Sequence, residues 1–264
     1  VIEGADDVSQ AAAEELFERF EVTVEQTGRG LEIRGDFDGD WSWRRRRHLR
    51  VEFEIVVPRR FDVTLETAGG SVTVEDLAGL LDVDTAGGSV TARRIDGEID
   101  LDTAGGSITA EQIGGPAHLD TAGGSITARE IEGDLDADTA GGSITAERVR
   151  GDVSASTSGG AIRLETIYGT VDAETSGGSI TADIVQQPSG PMRLETSGGS
   201  ITLHLSEDTR ADLDARTSGG RVRTDLPVAV RGEVSRHRLL GTLNGGGPLL
   251  TLRADGGGIR IYRR

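Results

Sequence analysis

One eight-residue segment, TAGGSITA at positions 103–110, recurs nearly letter for letter along the middle of the chain. The threonine that opens each copy recurs with an 18-residue period, which lengthens slightly at the last two copies. These threonines are Thr67, Thr85, Thr103, Thr121, Thr139, Thr157, Thr175, Thr196 and Thr217. A fixed period of about 20 residues is typical of repeat proteins, in which one unit cannot bury its apolar face alone. The chain is therefore predicted to be a stack of similar coils.

Within one repeat, apolar and polar residues alternate. Ile99 and Leu101 alternate with aspartates before the threonine, and Ile108 and Ala110 alternate with serine and threonine after the glycines. A period of two residues indicates a β-strand. The parity changes before the next aliphatic residue, Ile113, so the chain must bend there. Each repeat is thus predicted to be one coil of a parallel β-solenoid, with a strand, a Gly-Gly corner, a second strand, a bend and a short third side.

The pattern also predicts the roles of the glycines and the threonines at each corner. The glycines, such as Gly123, are expected to hold a positive φ or to pass close to a neighbouring coil. Thr103, Thr121 and Thr139 are expected to point inward and to bond along their column or to the corner backbone, because a buried hydroxyl without a partner is costly. Both expectations depend on the phase of the pattern, since a shift of one residue would turn every side chain to the other face.

The fold class predicted is all-β, a single-domain parallel β-solenoid with 18-residue coils over residues 61–225. Residues 1–60 are predicted to form an N-terminal cap, because an open solenoid end exposes unpaired strand edges and apolar core. This cap would contain a helix over residues 9–20, a hairpin over residues 20–34 and a strand over residues 49–57. Residues 226–264 are predicted to form a degenerate final coil and a C-terminal cap, with the coil's strands over residues 250–261.

The composition narrows the possible partners. The net charge is −17, and all 28 basic residues are arginine, so nucleic acid is not an expected partner. No cysteine is present, which excludes disulfides and thiolate metal sites. No apolar run is long enough to predict a membrane span. The sequence starts at Val1 without a methionine, which leaves room for an export signal or a membrane anchor ahead of it.

The outward face of the first strand carries repeated acids. Six of them are candidates for non-specific cation binding: Asp82, Asp84, Asp100, Asp102, Asp136 and Asp138. Paired carboxylates also serve glycoside hydrolases, but acids that repeat with every coil are typical of a solvated face. No catalytic residue, cofactor or dedicated metal site is predicted. The serine and threonine columns after the corner are expected to hydrogen-bond along the stack, with glycan or ordered-water binding as the alternative.

Several motifs together carry a family resemblance. They are the repeated TAGGSI coils, the Val57–Pro58 step, LNGGGP at residues 243–248 and the closing GGIRI at residues 257–261. Over residues 20–264 the chain resembles a bacterial and archaeal family of domains of unknown function that are described as adhesins. The resemblance implies an exported β-solenoid at the cell surface or in the periplasm, with a surface glycan or protein as partner. It supplies no catalytic residues.

The resulting functional prediction is a non-enzymatic surface scaffold or adhesin-like binding module. Two alternatives remain open, a polysaccharide-active β-helix enzyme and a self-assembling structural solenoid. The oligomeric state, the ligand and the handedness are left open as well.

Overall fold

The computed structural model describes residues 2–4, 20–27, 30–37, 49–231 and 235–264. The chain divides into two compact units, Val1–Val57 and Pro58–Arg264. The strands of the first unit are β1 (Ile2–Gly4), β2 (Phe20–Thr27), β3 (Gly30–Phe37) and β4 (Leu49–Val51). β1 pairs antiparallel with β4, and β2 pairs antiparallel with β3. The hairpin predicted after residue 20 is therefore confirmed.

The helix and the long strand predicted for the first unit have different outcomes. The predicted helix over residues 9–20 lies outside the described residues except for Phe20, where β2 begins, and the described residues contain no helix. The strand predicted over residues 49–57 was too long, since β4 ends at Val51. Its partner β1 is only three residues long and offers no further pairing. Within the described residues, no helix has the length and apolarity needed to cross a membrane.

The second unit is a parallel β-solenoid. Each of eight successive coils gives one strand to a first sheet and the next strand to a second sheet. In chain order the strands are β5 (Val63–Thr67), β6 (Val72–Glu75), β7 (Leu81–Thr85), β8 (Val90–Ile95), β9 (Ile99–Thr103), β10 (Ile108–Ile113), β11 (Ala117–Thr121), β12 (Ile126–Ile131), β13 (Leu135–Thr139), β14 (Ile144–Val149), β15 (Val153–Thr157), β16 (Ile162–Ile167), β17 (Val171–Thr175), β18 (Ile180–Ile184), β19 (Met192–Thr196) and β20 (Ile201–Leu205). Residues one repeat apart are cross-strand partners, as Thr103 and Thr121 are. The predicted parallel solenoid with 18-residue coils is confirmed.

The core is the inward half of the alternating pattern. Ile99, Leu101, Ile108 and Ala110 are all fully buried, and so is Ile113 after the bend. The bend itself is made by a residue in the left-handed region, with φ between 55° and 60° in successive coils. These residues are Asp76, Arg94, Gln112, Glu130, Arg148 and Thr166, so none is glycine. One left-handed residue reverses the side-chain parity, which lets the aliphatic residues on both sides of the bend face the core.

Each corner threonine joins its coil to the preceding coil. Thr121 is fully buried, and its hydroxyl donates to the carbonyl oxygen of Gly106 at 2.7 Å. The same hydroxyl accepts the N–H of Gly124 at 3.2 Å. Equivalent pairs of bonds occur at Thr85, Thr103, Thr139, Thr157, Thr175, Thr196 and Thr217. The predicted inward threonines, bonded to corner backbone, are confirmed.

The corner glycines were expected to hold a positive φ or to pass close to a neighbouring coil, and the structure supports the second alternative. Neither Gly123 nor Gly124 lies in the left-handed region. Close approach between coils explains the second glycine, because a Cβ at Gly124 would lie 1.9 Å from the carbonyl oxygen of Gly106. A Cβ at Gly123 would lie 3.5 Å from the nearest atom, which is an ordinary contact. At this corner only the second glycine therefore excludes a side chain, whereas in later coils the first does so as well, as at Gly198, where a Cβ would lie 2.8 Å from the carbonyl oxygen of Gly177.

The C-terminal strands stack out of chain order. They are β21 (Ala211–Thr217), β22 (Val222–Thr224), β23 (Val228–Val230), β24 (Arg238–Leu243), β25 (Leu249–Ala254) and β26 (Ile259–Arg263). β24 runs antiparallel to β21 and β23. β25 lies between β19 and β21, and β26 lies between β20 and β22. The coil predicted over residues 250–261 exists, but it is inserted between two earlier coils.

The two corner glycines provide a matched test of the close approach. Gly124→Ala should lower the free energy of unfolding by about 1 to 3 kcal/mol, since overpacking forces the backbones of two coils apart. Gly123→Ala should leave stability nearly unchanged. Urea unfolding followed by circular dichroism measures both variants. Equal losses at the two positions would contradict this explanation of the corner.

The threonine bonds predict a second matched pair. Thr121→Val keeps the side-chain shape but leaves a buried carbonyl and a buried N–H without their partner, so it should lower the free energy of unfolding by about 1 to 3 kcal/mol. Thr127→Val changes an outward threonine two residues into β12 and should shift stability by less than about 0.5 kcal/mol. Thermal and urea unfolding of both variants check the difference. A neutral Thr121→Val would show that the column does not stabilise the stack.

Candidate binding groove

The outward face of the first sheet carries two columns of acids. The first acidic column is Asp82, Asp100, His118, Asp136, Ser154 and Asp172, and the second acidic column is Asp84, Asp102, Asp120, Asp138, Ser156 and Glu174. The six aspartates predicted to face outward all lie in these columns. Asp82 is the cross-strand partner of Asp100, and Asp84 is that of Asp102. His118 and Asp120 separate these pairs from Asp136 and Asp138.

Electrostatics on this face is unfavourable at neutral pH. Partial burial, followed by the charge of Asp120, raises the pKa of Asp102. Burial and the charge of Asp136 likewise raise the pKa of Asp138. In the described part of the chain, no arginine lies within ion-pair distance of Asp82, Asp84, Asp100, Asp102, Asp120 or Asp138. Their charges therefore face solvent without a basic partner.

A metal site would need a tighter arrangement. Among the residues that the structure describes, no three histidine or carboxylate side chains converge on a point that could hold a metal ion. A regular grid explains this, because each column places its carboxylates side by side along the stack and does not point them at one centre. Non-specific attraction of cations by the six aspartates stays a prediction.

An open groove of about 720 Å³ runs beside the first acidic column. It crosses β9, β11, β13, β15, β17, β19 and β25, which are consecutive in the sheet. With strands about 4.8 Å apart, the groove is about 29 Å long. Its walls carry the carboxylates of Glu98, Asp134, Asp136, Asp152 and Asp172, together with His118 and, towards one end, Arg193. An acidic trough therefore follows the solenoid axis.

The groove arises from the alternation within each strand. The first residue of a strand, such as Leu135, points inward and is buried, while Asp134 before it and Asp136 after it point outward. Repetition in every coil turns the two outward positions into two parallel walls. The outer wall is held rigidly, because Asp134 accepts the N–H of Asp152 at 2.8 Å and Asp152 accepts the N–H of Thr170 at 2.6 Å. Asp136, which lies beside His118, and Asp172 make no such bond to the next coil's backbone, so their carboxylates are open to a ligand.

His118 and Ser154, which interrupt the acids of the first acidic column, lie close together but in the wrong order for nucleophilic catalysis. His118 Nδ1 lies 3.4 Å from an oxygen of Asp136. Ser154 is the neighbour of Asp136 on the opposite side, so Asp136 lies between the imidazole and the hydroxyl. Two strand spacings, about 9.6 Å, separate the backbones of Ser154 and His118. An activated serine needs the base within about 3 Å of its hydroxyl, and this arrangement does not bring them together.

The hydroxyls of the second sheet serve the stack. Ser107 Oγ accepts the N–H of Ser125 at 3.2 Å. The same bond to the following coil is made by Ser71, Ser89, Ser125, Ser143, Ser179 and Ser200. The predicted hydrogen bonding of the serine column along the stack is therefore confirmed. Glycan or ordered-water binding by this face stays a prediction.

The second sheet also holds a charge ladder that sequence reasoning missed. Arg93 lies 3.6 Å from Glu75 and 3.1 Å from Glu111, and Arg129 lies 2.9 Å from Glu111 and 3.6 Å from Glu147. The signal was available, because the sign of the charge at this position alternates over five repeats, from Glu75 to Glu147. In these five coils the second sheet thus pairs its charges within the stack. Over the described coils, the acidic columns of the first sheet have no such ladder of arginines, so the first sheet is the face with unpaired charge.

Comparison with known proteins identifies the family of this chain. A model of the family described as Toastrack DUF4097 matches residues 3–262, nearly the whole chain. No curated protein and no solved structure matches the chain. The family description names a domain of unknown function, so an adhesive role stays a prediction.

The opposite pKa shifts of two acids on the first sheet predict opposite effects of removing their charge. The pKa of Asp102 is higher in the folded state, so the folded protein binds more protons and stability falls as pH rises through that range. Asp102→Asn should therefore raise the free energy of unfolding at neutral pH, by less than about 1 kcal/mol at this exposed site. The gain should vanish once pH falls below about 3.9, where both states are protonated.

Glu195→Gln is the matched control for this prediction. The hydrogen bond from Arg193 lowers the pKa of Glu195, so its contribution is present above the ordinary pKa and is lost as pH falls. This variant should lower stability at neutral pH and have no effect in acid. Urea unfolding across pH measures both. Losses of stability in both variants at neutral pH would show that the acidic columns are not under repulsion.

Proposed function

The chain belongs to the Toastrack DUF4097 family, and we propose that it acts as a non-enzymatic binding scaffold whose acidic groove holds an extended, positively charged segment of a partner protein. The observation that carries the proposal is the groove itself, which is about 29 Å long and carries five carboxylates, shared between its two walls, from β9 to β17. Clefts lined by charge of one sign concentrate ligands of the opposite sign. This is the binding role that an adhesin-like module would need.

The dimensions of the groove suit an extended chain. An extended peptide rises about 3.3 Å per residue, so about nine residues would fill the groove. Backbone pairing between coils fixes both walls before any ligand arrives, as the bonds of Asp134 and Asp152 illustrate. A preformed site loses little conformational entropy on binding. Basic side chains at alternate positions would face the carboxylates of Asp136 and Asp172.

The chemistry of the groove supports binding and not turnover. Asp136 lies between His118 and Ser154, which keeps the only imidazole of the groove away from the hydroxyl. The carboxylates of Asp134 and Asp152 accept backbone N–H groups of the next coil and so serve the stack. A polysaccharide-active enzyme is thus less well supported than a binding module.

The proposal places the protein outside the cytoplasm, at the cell surface or in the periplasm, where partner chains are encountered. Its support is the family resemblance of the repeated TAGGSI coils. Labelling of intact cells with a membrane-impermeant reagent, using the full-length protein, tests this placement.

Binding of a hexa-arginine peptide tests the groove. Fluorescence anisotropy of the labelled peptide should show saturable binding at low salt that weakens at physiological salt. Replacing two groove carboxylates, Asp136→Asn with Asp172→Asn, should weaken binding about tenfold, since each lost charge pair contributes roughly 0.8 kcal/mol in water. These two side chains are chosen because their removal leaves the backbone bonds of the groove intact.

The control variant carries the same change in net charge at a different place. Asp84→Asn with Asp120→Asn removes two acids of the second acidic column, outside the groove, and should weaken binding less than about twofold. Equal losses of affinity in both double variants would overturn the groove as the site. Binding would then depend only on the net negative charge of the protein. Binding of a neutral hexasaccharide in place of the peptide would identify a glycan as the ligand and overturn the cationic partner.

A further inference from the structure

The inserted coil, residues 249–264, lies between two coils that both precede it in the chain. β25 and β26 fill a slot between the coil of β19 and β20 and the outermost coil of β21 and β22. We propose that this segment exchanges between copies of the chain, so that the inserted coil of one copy fills the slot of a second copy. The partner is thus a second molecule of the same protein.

The inserted coil lacks the bond that joins the other coils. At its corner stands Ala254, the cross-strand partner of Thr196. In the described coils every other corner with a coil below it has a threonine hydroxyl that donates to the glycine carbonyl of that coil, as Thr196 donates to Gly178 at 2.6 Å. An alanine has no hydroxyl to donate to the coil below. The junction between β19 and β25 therefore lacks the hydroxyl bond that every other described junction has.

The outermost coil can take the place of the inserted one. Thr217 follows Thr196 at the same interval along the chain as Thr196 follows Thr175. The coils of Thr175 and Thr196 stack directly on each other. The spacing is thus compatible with direct stacking of β21 on β19, where Thr217 would donate to Gly199 in place of its present acceptor, Gly257. The slot can close when the insert leaves, which lowers the cost of opening.

Strand ladders on both sides and two ion pairs at its carboxyl end hold the insert. Arg263 and Arg264 form exposed ion pairs with Glu207 and Asp183, both at 3.0 Å. Exposed ion pairs of this kind contribute little and are screened by salt. The hinge before β25 contains three residues with positive φ, Asn244, Gly245 and Gly246.

A second copy is the occupant that fits the slot. Leu250, Leu252, Ile259 and Ile261 are fully buried in the slot, so a released insert exposes an apolar strand pair that must be covered again. Every copy carries a slot with the matching register. The five hinge residues 244–248 span about 17 Å when extended, which is enough to cross to a neighbour. Reciprocal exchange is self-complementary and closes as a twofold dimer.

The test uses the absence of natural cysteine in the chain. Thr202 and Arg260 are cross-strand partners on β20 and β26, at a separation that a disulfide spans. Full-length Thr202→Cys and Arg260→Cys proteins are mixed, incubated at high concentration and oxidised. Exchange predicts a covalent heterodimer on a non-reducing gel. The control mixture, Thr109→Cys with Thr127→Cys on the central strands β10 and β12, should give only background dimer.

Two further variants keep the outcome decisive. Ala254→Thr restores the missing hydroxyl and should slow formation of the heterodimer about fivefold. Deleting Gly245 and Gly246 shortens the hinge and should convert monomer to dimer in light scattering. The proposal is overturned if the double variant Thr202→Cys with Arg260→Cys cross-links within one chain while the mixture gives no more dimer than the control. A folded monomer with the shortened hinge would overturn it as well.

Discussion

The bond from each corner threonine to the glycine carbonyl of the coil below sets the geometry of the whole solenoid. It requires that two backbones approach so closely that a Cβ at Gly124 would overlap the carbonyl oxygen of Gly106. The hydroxyl therefore works only with a glycine beside it, and the pair TxxG recurs at every corner except the one at Ala254. A slip of one residue between coils would lose the bond and bury the outward charges. Register is thus fixed at the corner and transmitted along both strands.

Once register is fixed, the outward side chains occupy a grid with about 4.8 Å between neighbours in a column. The identity of one residue per coil then decides what a column does. Alternating Glu75, Arg93 and Glu111 gives a ladder of ion pairs that ties the coils together. Unbroken acids such as Asp84 and Asp102 give a face under repulsion, which raises the pKa of Asp102. Charge left unneutralised at that density costs stability, and a ligand of opposite charge would recover it.

Sequence reasoning worked where a feature is local and repeated, and failed where neighbouring coils or chain order decide it. The period, the inward residues such as Ile108 and the bonded threonines followed from alternation alone. The left-handed bend at Arg94 did not, because arginine gives no signal for positive φ. The groove was missed because its walls come from different coils, and Asp134 looks like any surface acid. The position of the last coil was missed because its alternating pattern fits any level of the stack.

The groove and the inserted coil meet at one end of the molecule. Thr251, on β25, lines the same groove as Asp136 and Arg193. A ligand that spans the groove to this end contacts Thr251 only while an insert fills the slot. Binding to one arrangement in preference to another shifts the equilibrium toward it, by an amount set by the difference in affinity. Coils joined by threonine bonds form the constant part of the groove, and the coil at Ala254, which lacks that bond, forms the part whose occupancy a ligand can change. Occupancy of this end of the groove therefore opposes release of the insert, which is the step that exchange of the last coil requires.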